Sequence, residues 1–177
     1  MRAYRWQQDG FTVVELLIVI VILGVMAALI VFTPQSFQES ADSKEQAADV
    51  ANIARRLESA YNAQEIGSAS YPSTVELMND ISSRTRTMSH TDAEIFKTPG
   101  ASSSSVVAAT NANATNPAGS NTPTTSQYVY QPIRANGSLC TDNPSSTTAA
   151  NRCVKFTLYY KSLLDNTVIK TKSEHQQ

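Results

Sequence analysis

Histidine is almost missing from this chain of 177 residues. Its two copies, His90 and His175, are isolated, with no Ser/His/Asp set and no metal-ligand spacing around them, so neither an enzyme nor a cofactor is expected. Cysteine is equally scarce. Cys140 and Cys153 lie 13 positions apart in a polar segment, with no CxxC and no neighbouring histidine. That spacing suits a disulfide formed outside the reducing cytosol better than a metal site, with two free thiols as the alternative. A basic excess is also lacking: 14 Lys and Arg face 15 Asp and Glu, a net charge of -1, which argues against a wholesale nucleic-acid binder. No acidic cluster in the C-terminal third offers a calcium site. Long apolar runs are missing after residue 32, so the rest of the chain must build its core from fewer large aliphatic groups, helped by seven tyrosines and a crosslink.

What the chain does have is one apolar run of 22 residues, Phe11 to Phe32, in which only Thr12 and Glu15 are conventionally polar. As a helix it would be roughly 33 Å long, matching the roughly 30 Å hydrocarbon core of a bilayer. The preceding "MRAYRWQQDG" carries Arg2 and Arg5 against a single Asp9, a basic flank that stays in the cytoplasm and sends the rest outside. A secretory signal would have a shorter apolar core and a small-residue cleavage site after it, whereas Ala27 and Ala28 fall inside this run. An uncleaved signal anchor is the plain reading.

Past Pro34, which should kink or loosen a helix, the helical pattern resumes. Ala47, Val50, Ala51, Ala54, Leu57 and Tyr61 follow steps of three or four, while Glu45, Asp49, Arg55, Arg56 and Glu58 fall mostly elsewhere. The pattern ends near Gly67, predicting a stem of about 55 residues that is apolar first and amphipathic second. "YPSTVELMNDI" starts with a capping signature, Ser73 and Glu76, and predicts a short helix. Residues 98–127 are rich in Ser, Thr, Ala and Asn, have too little apolar bulk for burial, and read as an exposed loop. Asn113-Ala-Thr115 and Asn136-Gly-Ser138 fit the glycosylation triplet, a short pattern that also arises by chance.

The C-terminal third reads as sheet: "QYVYQPI", "CVKFTLYYK" and "TVIKTK" are rich in aromatic and β-branched residues. Val154, Phe156, Leu158 and Tyr160 alternate with Lys155, Thr157, Tyr159 and Lys161, so one face should be buried and the other wet. "SLLDN" supplies turn chemistry for a hairpin over 153–172. Lys155, Lys161, Lys170 and Lys172 would share its wet side, as a solvated face or as a contact for DNA or another anionic surface. The predicted architecture is α+β, a long N-terminal helix packed against a C-terminal antiparallel sheet.

After its short basic leader, "GFTVVELLIVIVILGVMAALI" closely resembles the class III signal of type IV prepilins and pseudopilins. The resemblance implies a pilin-like roll, cleavage by a prepilin peptidase between Gly10 and Phe11, and N-methylation of Phe11. It divides the chain into a leader (1–10), a membrane and filament-core helix (11–33), the amphipathic half of the stem (34–66) and a head (67–177) containing the loop 98–127 and a disulfide loop 140–153. Glu15 would meet the new amine of Phe11, four residues away in its own subunit or in a neighbour, and so set the register of assembly. The bland alternative is a Glu15 that snorkels to headgroups. Gly24 and Pro34 bracket "VMAALIVFT" as helix breakers that in pilins allow bending, although both are also common in membrane helices. Many pilins carry a C-terminal disulfide loop resembling Cys140–Cys153; here a hairpin follows it. The implied partners are other copies of the chain and other pilins, the peptidase, an assembly ATPase and a platform protein. The implied location is the cytoplasmic membrane and then a surface filament. A type IV pilus subunit ranks first, a pseudopilin or minor pilin of a secretion or DNA-uptake system second, and a signal-anchored domain that never polymerises third.

Overall fold

The computed structural model describes residues 10–31, 34–65, 69–83, 85–113, 123–141 and 151–175. The leader, the stem junction at 32–33, the Gly67 turn, most of the disulfide loop and the centre of the 98–127 segment lie outside the described residues. The chain divides into two compact units, Met1–Gln38 and Glu39–Gln177.

The first unit holds α1, Val13–Val31, and the second holds most of α2, Pro34–Asn62. Helix α2 starts on proline, where the missing N–H costs nothing because the first turn has no acceptor for it. Next come α3, Thr74–Ser83, and two 3-10 turns, Arg86–Met88 and Glu94–Phe96. Strands β1, Val106–Ala108, β2, Tyr128–Arg134, β3, Cys153–Lys161, and β4, Val168–Lys172, form one sheet in that order. Pairs β2–β3 and β3–β4 are antiparallel, as expected, but β1 adds to β2 in parallel, so the sheet is mixed. Strand β1 also corrects the reading of residues 98–127 as loop. Val106 and Ala109 are buried, and Ser105 satisfies Thr98, its Oγ accepting the Thr98 N–H at 3.0 Å.

The capping box of α3 is present: Ser73 N–H donates to Glu76 Oε2 at 3.0 Å and Glu76 N–H to Ser73 Oγ at 3.2 Å. The hairpin closes as predicted, with Ser162 N–H on the Thr167 carbonyl at 2.9 Å and Asn166 at φ 56°, a left-handed position that asparagine tolerates.

The main core packs Val50, Ile53, Ala54 and Leu57 of α2 and Leu77 and Ile81 of α3 onto Tyr128, Tyr130, Phe156, Leu158 and Tyr160 of the sheet. The α2 stripe is therefore rotated from its expected position. Ala47 and Ala51 are exposed, Ile53 and Ala60 are buried, and Asp49 and Glu58, expected outside, lie against the sheet layer. Tyrosine hydroxyls explain the two acids. Tyr128 Oη donates to Asp49 Oδ2 at 3.3 Å and Tyr71 Oη to Glu58 Oε2 at 2.7 Å. Glu58 also accepts the Glu174 N–H at 2.8 Å and faces His175 Nδ1 at 3.0 Å, which ties the end of the chain to the helix. Tyr61 stacks on Tyr71 and on His175, at centroid distances of 4.6 and 4.4 Å.

The supposedly wet face of β3 is also only partly wet. Tyr159 is buried with Val129 and Ala109 in a second, smaller cluster, while on the expected buried face Val154 is only half-buried.

Burial pushes Asp49 up from 3.8 to about 6, with Glu45 and Glu94 adding to the rise and the Tyr128 hydrogen bond opposing it. Because the folded state holds this proton more tightly than the unfolded chain, stability should fall as pH rises from about 4 to about 6. Asp49→Asn should therefore stabilise the protein above about pH 6 and have little effect below about pH 4, as read by urea unfolding across that range. Equal effects at both ends would remove Asp49 from the pH dependence.

Candidate functional site

Three features singled out by the sequence can be placed: the start of α1, the flank of α1, and the cysteine pair. Gly10 and Phe11 precede the helix in open chain, and Phe11 is 82% exposed. An added Cβ at Gly10 would meet nothing within 4 Å. The bond between them is sterically accessible.

Glu15 has a partner that sequence reasoning overlooked. Thr12 N–H donates to Glu15 Oε2 at 3.1 Å, Thr12 Oγ1 donates to the same oxygen at 3.0 Å, and Glu15 N–H donates back to Thr12 Oγ1 at 3.3 Å. This is a capping box with Thr12 as N-cap and Glu15 three residues on. "TVVE" has the same spacing as "STVE" at 73–76, so the signal was there to be read. The acid sits in the first turn, where the helix dipole favours a negative charge. Within the described chain Glu15 caps the start of its own helix.

Helix α1 is apolar around its whole circumference. Every large hydrophobic residue from Val13 to Met26 is 49–84% exposed. A helix of this kind is stable only inside something apolar. Its described part covers 19 residues, about 28 Å of rise, and Phe11 and Thr12 precede it in open chain. Among the described residues no helix is long and apolar enough to cross a membrane. Helix α1 runs through Gly24, whose flank is open, and α2 begins at Pro34.

Cys140 and Cys153 are joined in a disulfide with Cα atoms 5.8 Å apart, and both are fully buried. The crosslink itself is a core element. Cys153 O accepts the Tyr71 N–H at 2.9 Å and Cys140 O the Thr74 N–H at 3.0 Å, so the pair also anchors the entry to α3. Lys155, Lys161, Lys170 and Lys172 do share one face of the hairpin, since Lys172 pairs with Thr157 and Lys170 with Tyr159.

Residues 7–31 match the family described as the prokaryotic N-terminal methylation motif. The chain is similar to type II secretion system core protein G of Pectobacterium carotovorum subsp. carotovorum, 39% identical over 69 residues, which is 39% of this chain and 42% of that protein. Similarity extends to the protein of the same name in Dickeya chrysanthemi, 37% identical over 68 residues (38% and 42% of the two chains), and in Aeromonas hydrophila, 35% over 68 residues (38% and 45%). In each case less than half of the relative is covered. No solved structure matches the chain. The methylation motif, the apolar helix and α+β arrangement, and the similarity to these relatives over part of their length support a type IV pilin-like protein.

Proposed function

We propose that this chain is a pseudopilin, a non-catalytic structural subunit of a type II secretion filament. The observation that carries the reading is α1: a helix exposed and apolar on every side, opened by a capped acid next to an accessible Gly10–Phe11 bond. The relatives, all named for a type II secretion system, favour this over the pilus subunit that the sequence alone ranks first.

In this reading the precursor rests in the cytoplasmic membrane with residues 1–10 inside and the head outside. The anchor in this reading is the whole apolar run of 22 residues from Phe11 to Phe32, of which the described α1 is a part. A prepilin peptidase cuts between Gly10 and Phe11 and methylates Phe11, and a membrane platform driven by an assembly ATPase extracts the subunit into the filament. There α1 helices bury one another, each fully covered Val, Leu or Ile contributing about 1.5–3 kcal/mol relative to exposure in water. Apolar surface alone fixes no axial position, because lipid tails and neighbouring helices cover it almost equally well. The charge of Glu15, met by the freed amine of a neighbouring Phe11, supplies the register.

The capping box divides the Glu15 hypothesis into two testable parts, since glutamine caps as glutamate does but carries no charge. Glu15→Gln should keep the helix start, membrane insertion and cleavage, and still reduce assembled subunit about tenfold or more, as read by crosslinking in membranes. Glu15→Ala should lose both the cap and assembly. Normal assembly by Glu15→Gln would assign the residue to capping alone.

Mass spectrometry of the subunit in its own cells tests the wider reading. The expected form begins at methylated Phe11, and deletion should stop export of secreted proteins. Abundant sheared surface filaments with export intact would instead establish a pilus subunit. A chain that keeps residues 1–10 would establish an anchored domain that never polymerises.

A further inference from the structure

The outward face of the sheet holds a basic hollow that assembly through α1 does not use. Strand register creates it. Lys172 pairs with Thr157 across β3–β4, and Gln131 and Ile133 pair with Thr157 and Lys155 across β2–β3, so these side chains lie together on one face. They line a cavity of about 300 Å³, with Ala112 and Gly137 at its rim. No carboxylate lines it, and neither Lys155 nor Lys172 has an ion pair among the described residues.

The walls are held in place from both sides. Gln131, only 2% exposed, donates from Nε2 to the carbonyls of Asn111 and Asn113 at 2.9 and 3.1 Å and accepts the Tyr159 hydroxyl at 2.8 Å. These bonds strap residues 111–113 over the face as one wall. The opposite wall is the turn closed by Arg134 N–H on Ser138 O at 2.9 Å, with Gly137 at φ 84°. Lys170 is placed beside the hollow rather than in it, with Nζ 5.6 Å from the centre of the Tyr159 ring.

Two lysines on diagonal strand positions have Cβ atoms roughly 7–8 Å apart, close enough for both ammonium groups to reach one anion. Lysine acts as a compact point charge, whereas planar carboxylates are matched best by the fork of an arginine, and no arginine lines the cavity. Thr157 adds a hydroxyl donor, and Ile133 and Ala112 offer an apolar wall. The chain as a whole carries a net charge of -1, so this positive spot is not a by-product of general basicity. We propose that the hollow binds a phosphomonoester, with the phosphate dianion between Lys155 and Lys172 and a small organic body against Ile133 and Ala112. The source is either a soluble phosphate ester or the headgroup of phosphatidic acid.

The test is an amide NMR titration of the full chain in zwitterionic micelles with glycerol 3-phosphate, at ionic strength held constant with sodium chloride. A parallel arm uses bicelles with and without phosphatidic acid. Saturable shifts around Ala112, Gln131, Gly137, Lys155 and Lys172 are expected. Lys155→Gln with Lys172→Gln should weaken binding about tenfold or more, while Lys161→Gln, on the same face but outside the hollow, should change it by less than about twofold. Ala112→Phe, an exposed position, should abolish binding by filling the cavity without altering charge. Binding in the ester arm identifies a soluble ligand, and binding in the phosphatidic acid arm alone identifies a headgroup. The proposal is overturned by shifts that never saturate or by an equal loss in Lys161→Gln. It is also overturned if a short DNA duplex binds with affinity that survives Ala112→Phe, which would make the whole lysine face a polyanion surface.

Discussion

A helix that is apolar on every side has no stable place in water, and the rest of this molecule is arranged around that constraint. Most of the long aliphatic run goes into α1, whose side chains remain exposed, so the head is built without them. What is left for the core is a short stripe on α2, one small helix and a sheet whose largest buried groups are aromatic. A buried tyrosine brings more area than a leucine but also a hydroxyl that needs a partner. The fold meets this need repeatedly: Tyr71 donates to Glu58, Tyr128 to Asp49, Tyr130 to the Pro72 carbonyl at 2.7 Å, and Tyr159 to Gln131.

These bonds explain how acids come to face a core. A carboxylate taken from water without a partner would be strongly destabilising, whereas one that accepts a hydroxyl and a backbone N–H recovers about 1.5–3 kcal/mol per charged hydrogen bond. Glu58 has such a set and draws Tyr71, Glu174 and His175 onto one turn of α2. Among the described residues Asp49 has one long bond to Tyr128, and burial pushes its carboxyl up. The disulfide complements this network by linking Cys140 to the first residue of β3 and anchoring the entry to α3 through both cysteine carbonyls.

Elements specified by local chemistry were legible in the sequence, and those specified by distant partners were not. The Ser73–Glu76 cap, the "SLLDN" turn and strands β2 to β4 each carry their own signal and stand where expected. Strand β1 has only three residues in a stretch of Ser, Thr and Ala; its strand character comes from pairing with β2, which composition does not reveal. Asp49 and Glu58 were placed outside because charge normally means exposure, and the tyrosines that overrule this lie up to 79 residues away. Tyr159 was placed in water because alternation assumes one buried face, whereas Gln131 and residues 111–113 cover part of the other. At the candidate site Gly10, Phe11, the apolar run and Glu15 stand out in the sequence itself. The Thr12 cap carries the Thr-x-x-Glu spacing at 12–15, a local signal set inside an apolar run.

That cap alters how a charge inside an apolar stalk should be understood. An acid near the bilayer centre costs roughly 2.5–3.5 kcal/mol, and less toward the interface, where the first turn of a spanning α1 would lie. Two donors from Thr12 and the helix dipole act against that cost within the subunit itself. If α1 lies in a bilayer as proposed, Glu15 would not require a neighbour in order to be tolerated there. A contact that merely rescued an intolerable charge would form indiscriminately and leave subunits aggregated in lipid. When the charge is already satisfied, a neighbour's amine contributes only the difference between capped and paired states, a small term that matters when the apolar surfaces are in register as well. On that account selectivity in assembly comes from the modest size of the electrostatic term rather than from its strength.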